Sequence, residues 1–397
     1  MVKIARRRRG TASSTGTPLT NILGRFFMAV AAVAVMYLMV FSTQSIDGIV
    51  TTTATRSDSR ESSIIGGTRQ RQPQAPPAVS HETPLAYGTK SLGEKTGELV
   101  EQAIRTGFRH IVTAGHHGSR NETGVGIGWK KSGIPRNELY LQTAFVPFGL
   151  KGDFGRDPSD PEELPASIED QVKLSIETSL RNLQTDYVDA YIFFNNKRTI
   201  WNYDELLRAW KVMEGYAERG VLKRLGITSV HDPAWFDKFY NATTIKPQIV
   251  QNRFHSNRGY DVNMQETFAK YKNLQVQRFW LLNGSSGYGG RHKEEARAKG
   301  VTPAQLMLGF VMNMQETCLV GTTKLQHMKD DVEIAQCYES LFQGDNDENE
   351  QQNESRAYAK KLGMRQPTDR PLPGVDGTPR NSISSGVGSG RACRAAE

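Results

Sequence analysis

Between residues 84 and 341 the chain alternates short β-branched or aromatic runs with longer stretches in which apolar residues recur at helical spacing. Strands that alternate with helices in this way are typical of βαβ units and a parallel sheet. The eight predicted strands span residues 84–89, 109–114, 139–145, 187–194, 224–230, 248–254, 276–282 and 317–323. Eight strand-helix units over roughly 260 residues predict the α/β class and a (β/α)8 TIM barrel.

The clearest predicted helix follows the third strand, in the segment SIEDQVKLSIETSLRNL at residues 167–183. Ser167 with Asp170 three positions later is a helix-start signal. The apolar residues that follow fall on one helical face; they are Val172, Ile176, Leu180 and Leu183. Such a stripe is typical of a helix that packs on a sheet.

A different pattern lies at the N-terminus, where an uncharged run of 21 residues occupies positions 26–46. That length is within the roughly 17 to 25 residues that span a bilayer as a helix. Lys3, Arg25 and the four arginines at 6–9 precede the run, which favours a cytoplasmic N-terminus and a lumenal or extracellular barrel. We therefore predict a single-pass membrane anchor; a cleaved signal or transit peptide and a buried soluble helix are the alternatives.

Composition sets the predicted domain boundaries. Ser, Thr, Gly, Gln and Pro dominate the stretch after the anchor, and an acidic polar run followed by Pro, Gly and Ser closes the chain. Such segments bury too little apolar surface to fold on their own. The predicted order is a basic tail at 1–25, a transmembrane anchor at 26–46, a disordered stalk at 47–80, the barrel at 81–343 and a disordered tail at 344–397.

The charge of the chain is concentrated in one region. The formal net charge is +8, and residues 1–80 contain ten Lys or Arg against three Asp or Glu. The remainder is nearly neutral, so the basic composition does not indicate nucleic-acid binding.

Several stretches occur in the order and at the spacing of one known family. They include GFRHIVTAG with NETGVGIG, SGIPRNELYLQTAF, QVKLSIETSLRNLQTDYVDAY, RLGITSV, PQIVQNRFH, TPAQLMLGFVM and LVGTTKLQHMKDDVEIA. On these motifs the chain resembles the aldo-keto reductase family over nearly all of residues 84–341. The resemblance implies a barrel that binds NADPH and passes a hydride to a carbonyl, with a tyrosine giving a proton to the oxygen.

The family's four catalytic positions hold other residues in this chain. The resemblance places the aspartate at Val112, the lysine at Ala144 and the histidine at Phe194. It places the tyrosine at Arg120, or at His117 if the loop is aligned as a shorter one. Loss of a positioned general acid typically removes about 10² to 10⁴ in rate. The resemblance therefore implies a catalytically degenerate member of the family.

The loop before the second helix still concentrates polar groups; it contains His116, His117, Arg120 and Glu122. His117 and Arg120 are possible substitutes for the lost catalytic residues. A basic pocket for an anion such as phosphate is a second interpretation, and a solvated loop is a third. A metal site that adds His110 is a weaker alternative because carboxylate ligands are not evident, and we predict no metal.

Positions that would contact the cofactor are better retained. The resemblance assigns the nicotinamide amide to Gln251, Thr228 and Ser229, and the nicotinamide ring to Phe279. It assigns the adenosine phosphate to the segment after the eighth strand; the candidates are Thr322, Thr323, Lys324 and His327. Gln251 is otherwise an ordinary strand residue and Phe279 an ordinary core residue. NADP is the candidate cofactor, since a binding site can persist or decay independently of the chemistry.

Together these features predict a membrane-anchored, aldo-keto-reductase-like pseudoenzyme that binds NADP(H) or another small anionic or nucleotide ligand. The alternative is an NADPH-dependent oxidoreductase with weak or altered catalysis through His117 or Arg120. A type II membrane glycosyltransferase shares only the predicted topology, and the barrel motifs argue against it.

Overall fold

The computed structural model of the protein describes residues 84–115, 118–147, 167–195, 202–282 and 292–342, together with 355, 357–360, 362 and 364. Eight parallel strands follow one another in sequence order and close into a barrel, because the last strand pairs with the first. They are β1 (Leu85–Gly88), β2 (His110–Val112), β3 (Tyr140–Phe145), β4 (Ala190–Phe194), β5 (Leu225–Thr228), β6 (Ile249–Arg253), β7 (Gln275–Phe279) and β8 (Thr317–Val320). The predicted (β/α)8 TIM barrel is confirmed, and each strand lies at its predicted place.

Helices connect the strands and cover the outside of the barrel. They are α1 (Thr96–Thr106), α2 (Glu122–Ser132), α3 (Ile168–Leu183), α4 (Tyr203–Glu218), α5 (Pro233–Ala242), α6 (Val262–Ala269), α7 (Lys293–Ala298), α8 (Pro303–Asn313) and α9 (Leu325–Ala335). Short 3-10 turns occupy Gly93–Lys95, Arg136–Glu138, Ser256–Asp261 and Tyr338–Phe342. The right-handed β-α-β connection packs each helix back onto the sheet.

The predicted start and face of α3 are both confirmed. The Ser167 hydroxyl accepts a hydrogen bond from the Asp170 amide at 3.1 Å, which satisfies one of the unpaired N–H groups of the first turn. Val172, Ile176 and Leu183 are fully buried, and Leu180 packs against the same core. The stripe is therefore the contact surface of α3 on the sheet.

Glycines of the GVGIG segment in α2 allow neighbouring helices to approach closely. A Cβ at Gly126 would lie 2.3 Å from the carbonyl oxygen of Asn182 in α3. A Cβ at Gly128 would lie 2.5 Å from the carbonyl oxygen of Gly97 in α1. Real Cβ atoms do not come so close to backbone oxygens, so these glycines serve helix packing and are no dinucleotide fingerprint.

Two layers of side chains fill the molecule. The larger apolar core lies between the strands and the helices. Alternate strand residues point to the barrel interior, where Ala144, Ile192 and Ile249 form a smaller apolar cluster. In the same interior the side-chain amides of Gln142 and Gln277 exchange two hydrogen bonds of 2.8 Å. Their polar groups are satisfied by each other, so the interior is a packed core and not a pore.

A buried ionic network fixes the segment after β6. Arg278 donates two hydrogen bonds to the Glu316 carboxylate, at 2.6 and 2.8 Å, and one to Asp261 at 2.6 Å. Asn252 donates to the same Asp261 oxygen at 2.7 Å and to the Val230 carbonyl oxygen. The network joins β6, β7 and the approach to β8, and every charge in it has an opposite charge within hydrogen-bond distance.

The predicted anchor at 26–46 and the predicted stalk lie outside the described residues. None of the helices in the described ranges combines the length and apolar character that a membrane span requires. Tyr358, within the range predicted as a disordered tail, is buried and its ring lies 5.0 Å from that of Phe310. An aromatic side chain in a polar stretch buries enough apolar area to dock locally on the barrel.

Candidate active site at the barrel mouth

Functional residues of a (β/α)8 barrel lie at the carboxyl ends of the strands and in the loops that follow them. Val112 and Phe194 are the last residues of β2 and β4, and Ala144 is the penultimate residue of β3. These three strands are neighbours in the barrel. The structure therefore brings three of the four predicted catalytic positions together, and we call Val112, Ala144 and Phe194 the apolar wall.

The apolar wall contains no group that exchanges a proton. Val112 and Ala144 are 7% and 8% exposed, and Phe194 packs against the interior cluster that includes Ala144. An acid-base group is absent from all three positions, and the apolar side chains lower the local dielectric. Charges beside the wall therefore interact more strongly than they would in water.

Arg120, one of the two residues to which the resemblance assigns the fourth position, precedes the Asn121 cap of α2. Among the described residues, its guanidinium Nη1 donates to its neighbour Ser119 alone, to the carbonyl oxygen at 3.4 Å and to the hydroxyl at 3.3 Å. No carboxylate among the described residues forms an ion pair with it. Burial lowers the pKa of Arg120 to about 10. The group remains a cation near neutral pH, which makes it a poor acid but a strong hydrogen-bond donor to an anion.

Asn121 and Glu122, which follow Arg120, make hydrogen bonds that fix the start of α2. The Asn121 side chain accepts from the Gly124 amide at 2.7 Å and so caps α2. Glu122 is buried and accepts from the hydroxyls of Thr143, at 2.6 Å, and Ser179, at 2.8 Å. Its carboxylate is thus bonded to β3 and α3.

Of the three histidines predicted in this region, the structure describes one. His110 is buried in the barrel interior, where its Nε2 lies 3.3 Å from Gln142 Oε1. His116 and His117 lie outside the described residues. Within the described ranges no three His, Cys, Asp or Glu side chains are grouped as metal ligands.

Gln251, the predicted partner of the nicotinamide amide, lies on β6 and is half-buried. Its Nε2 donates to Gln277 Oε1 at 3.0 Å, which joins it to the interior amide pair. Its side-chain oxygen has no hydrogen bond within the described part of the chain. One half of the amide is thus fixed by the barrel and the other half remains an acceptor for a ligand N–H.

Thr228 ends β5 and Ser229 follows it. The Thr228 hydroxyl donates to the Gln251 carbonyl oxygen at 2.6 Å, and the side chain is 1% exposed. Ser229 has a left-handed backbone with φ of 65°, and its amide bonds to the same carbonyl oxygen at 3.1 Å. Thr228 therefore stabilises the pairing of β5 with β6 and leaves no hydroxyl proton for a cofactor.

The aromatic group at this edge of the barrel extends one residue beyond the prediction. Phe279 ends β7 and is half-buried, whereas the next residue, Trp280, is 37% exposed. The Arg253 guanidinium carbon lies 3.8 Å from the centre of the Trp280 ring and 5.9 Å from that of Phe279. Trp280 has φ of 68°, a conformation that ends the strand and keeps its ring at the surface. The resemblance that assigned the nicotinamide ring to Phe279 gave no role to Trp280.

The predicted phosphate contacts all lie at the start of α9. Thr323, Lys324 and His327 are exposed, and Thr322 is half-buried. The Thr322 hydroxyl accepts from the Lys324 amide at 3.2 Å and lies 3.4 Å from His327 Nδ1. Tyr87 in β1 donates to the Thr322 carbonyl oxygen at 2.8 Å, which holds the segment against the barrel. A helix start with an exposed lysine is a suitable place for a phosphate group.

The residues of the described site fit a nicotinamide dinucleotide at two points. The Gln251 side-chain oxygen can accept from a carboxamide, and Lys324 with the start of α9 can receive a phosphate. A proton donor for a carbonyl substrate is missing at the apolar wall. The described residues thus support ligand binding better than they support reduction.

Comparisons with known proteins give the family. The Aldo/keto reductase family profile matches residues 84–293. The glyoxal reductase of Bacillus subtilis is 30% identical over 166 residues, which cover 41% of this chain and 50% of that enzyme. The NAD/NADP-dependent indole-3-acetaldehyde reductase of Schizosaccharomyces pombe is 22% identical over 255 residues, 61% of this chain and 82% of that protein. The methylglyoxal reductase DkgA of Yersinia pestis is also matched over half of its length.

Solved structures share the fold. An aldo-keto reductase enzyme from a Medee basin deep-sea metagenome library superposes with a TM-score of 0.56 at 19% identity, over 73% of this chain and 94% of that one. The Bombyx mori aldo-keto reductase in complex with NADP gives a TM-score of 0.52 at 17% identity, over 71% and 93%. The matched profile covers more than half of the sequence and coincides with strands β1 to β7. The chain belongs to the aldo/keto reductase family.

Proposed function

We propose that the barrel is a non-catalytic member of this family that binds NADP(H) or another small anionic ligand. The proposal rests on Val112, Ala144 and Phe194, the apolar residues to which the resemblance assigns three of the family's catalytic positions, and on Arg120 or His117 at the fourth. An aliphatic or phenyl side chain neither donates a proton nor adjusts the pKa of a neighbour that does. Simultaneous apolar replacement of a buried acid-base pair leaves no stranded charge, so the barrel remains stable without its chemistry.

The cofactor part of the proposal rests on Gln251 and on the start of α9. One matched relative is named as NAD/NADP-dependent and one structural neighbour is in complex with NADP. When bound, a reduced nicotinamide supplies a hydride. Gln251 and Lys324 of this chain would orient and hold its two ends.

A reductase with altered chemistry is the second candidate, and the names of the relatives favour it. The Bacillus subtilis and Yersinia pestis proteins are named as reductases of glyoxal and methylglyoxal. In this candidate His117 or Arg120 would stabilise or protonate the carbonyl oxygen.

A titration of the full chain with NADPH, followed by fluorescence, tests the proposal. A panel of carbonyl compounds that includes glyoxal and methylglyoxal is then added, and NADPH oxidation is recorded. We expect saturable NADPH binding with no oxidation above the rate without protein. Oxidation that is abolished by His117→Ala or by Arg120→Ala would refute the non-catalytic function and establish a rebuilt active site.

Membrane anchoring is a separate proposal that rests on the apolar run at 26–46 and its basic flank. Alkaline carbonate extraction of cells that express the full chain tests it, with a variant that lacks residues 26–46 as the matched control. We expect the full chain in the membrane pellet and the deletion variant in the supernatant. Release of both proteins into the supernatant would exclude an integral anchor.

A further inference from the structure

Three basic residues stand at the mouth of the barrel on different elements. Lys90 lies in the loop after β1, Arg120 lies directly before α2, and Arg253 is the last residue of β6. A hydrogen bond of 2.8 Å from the Ser91 amide to the Ser119 carbonyl oxygen ties the first two loops together. Since β6 is separated from β1 by β7 and β8, the cations approach the mouth from two sides of the barrel.

The charges of Arg120 and Arg253 both act on Lys90. Lys90 is partly desolvated and lies close enough to Arg120 and Arg253 that their charges lower its pKa further. Burial also lowers the pKa of Arg253, and Arg258 adds to that effect. No described carboxylate forms an ion pair with Lys90, Arg120 or Arg253. Like charges held together without counter-ions raise the free energy of the folded state, and a bound anion would lower it.

The surroundings of these cations are apolar. Val112, Ala144 and Phe194 lie at the carboxyl ends of β2, β3 and β4, and the Trp280 ring centre lies 3.8 Å from the Arg253 guanidinium carbon. A guanidinium that contacts an aromatic ring still has N–H groups that can donate to an oxyanion. A low-dielectric wall beside several donors strengthens each charge-assisted hydrogen bond.

We propose that Lys90, Arg120 and Arg253 form a binding site for the phosphate group of a small organic phosphate whose uncharged part rests against the apolar wall and Trp280. The site is separate from the start of α9, where Lys324 and His327 lie. The inference deepens the proposed non-catalytic binding function but does not depend on NADP(H), because no cofactor atom is needed to build it.

Phosphate is the ligand group that matches this arrangement. A phosphate monoester carries about two negative charges near neutral pH and three acceptor oxygens, one for each cation. A neutral carbonyl compound, the ordinary substrate of a reductase, would leave all three charges unpaired. A solvated basic surface without a ligand is the competing explanation.

Isothermal titration of the full chain with phenyl phosphate tests the site, with benzyl alcohol as the neutral probe. We expect phenyl phosphate to bind, benzyl alcohol not to bind, and added salt to weaken the binding. Lys90→Met, Arg120→Met and Arg253→Gln should each weaken binding by about 10- to 100-fold, since each removes a charged hydrogen-bond donor. Arg253→Lys should retain more affinity than Arg253→Gln because it keeps the charge.

Lys131→Met is the matched control, because Lys131 is exposed near the end of α2 opposite Arg120. It should leave the Kd unchanged, and circular dichroism shows that each variant is folded. Loss of binding in Lys324→Met with no change in the three mouth variants would overturn the proposal and place the phosphate at α9. Absence of phenyl phosphate binding to the folded wild-type chain would also overturn it, whatever the result with NADPH.

Discussion

Arg278 and Arg120 are both withdrawn from solvent, yet their surroundings are opposite. The Arg278 side chain is 0% exposed and has two carboxylates within hydrogen-bond distance. Desolvation disfavours its charge, but Glu316 and Asp261 outweigh that cost and raise the pKa of Arg278 above its usual value. Within the described part of the chain, the Arg120 guanidinium has only the Ser119 oxygens as partners, at 3.3 and 3.4 Å, and burial lowers its pKa to about 10.

The difference separates a structural charge from a charge available to a ligand. Arg278 donates its hydrogen bonds to Asp261 and Glu316, and so it joins β7 to the segment after β6 and to the approach to β8. Arg120 retains donors that the fold does not use, at the edge where barrels of this type bind their ligands. An unpaired charge of this kind costs stability, which proteins tolerate at sites that bind or react.

The largest expected effect comes from removal of the structural charge. Arg278→Met leaves the Glu316 and Asp261 carboxylates buried without a cation, and we expect a loss of roughly 3 to 5 kcal/mol in the free energy of unfolding. Urea unfolding followed by circular dichroism measures this loss. Arg105→Met removes an exposed pair with Glu101 and should cost under about 1 kcal/mol. Equal losses in the two variants would show that the buried network contributes no more than a surface pair.

The next largest effect is a pH dependence of stability that the buried carboxyl group of Asp331 causes. Burial, with a smaller contribution from Asp330, raises the pKa of Asp331 in α9 to about 7. The folded state then binds more protons than the unfolded state between pH 4 and 7, so stability falls as pH rises through that window. We expect Asp331→Asn to stabilise the chain by about 2 to 4 kcal/mol at pH 8 and by little near pH 4.

Thermal unfolding from pH 4 to pH 8 measures the effect of Asp331. Asp330→Asn, which changes the neighbouring partly exposed carboxylate, is the control and should produce only a small change. A gain in Asp331→Asn that is the same at every pH would show that packing, and not titration of the carboxyl group, causes it.

The smallest expected effect is a change in unfolding temperature, and its direction distinguishes Arg120 from Arg278. Arg120→Met should raise the unfolding temperature of the ligand-free chain by a few degrees, since it removes an unpaired charge worth about 1 kcal/mol and adds apolar contact at the wall. Differential scanning calorimetry detects the shift. Phenyl phosphate should stabilise the wild-type chain and not the variant. A decrease in unfolding temperature would instead make Arg120 a structural residue like Arg278.

Much of the fold follows from local patterns in the sequence. The eight apolar runs and the Ser167 helix start predicted elements that the structure contains, because strand alternation and capping depend on neighbouring residues. The apolar identity of Val112, Ala144 and Phe194 and the cationic identity of Arg120 were also visible, since the family's motifs give their positions. The assignment of Phe279 stopped one residue before the exposed Trp280.

The tertiary structure decided which polar groups remain available. The sequence alone gives Glu122, Thr228 and Gln251 similar standing as functional residues. Packing directs the Glu122 carboxylate toward the hydroxyls of Thr143 and Ser179. The Thr228 hydroxyl donates to the β6 backbone. The side-chain oxygen of Gln251 remains available as an acceptor, since its Nε2 is the atom that bonds to Gln277. Packing also brings Lys90 and Arg253, 163 positions apart in the sequence, close enough that the Arg253 charge adds to desolvation in lowering the pKa of Lys90. Barrel closure determines such long-range contacts, whereas a residue's chemistry and its local spacing are fixed by the sequence itself.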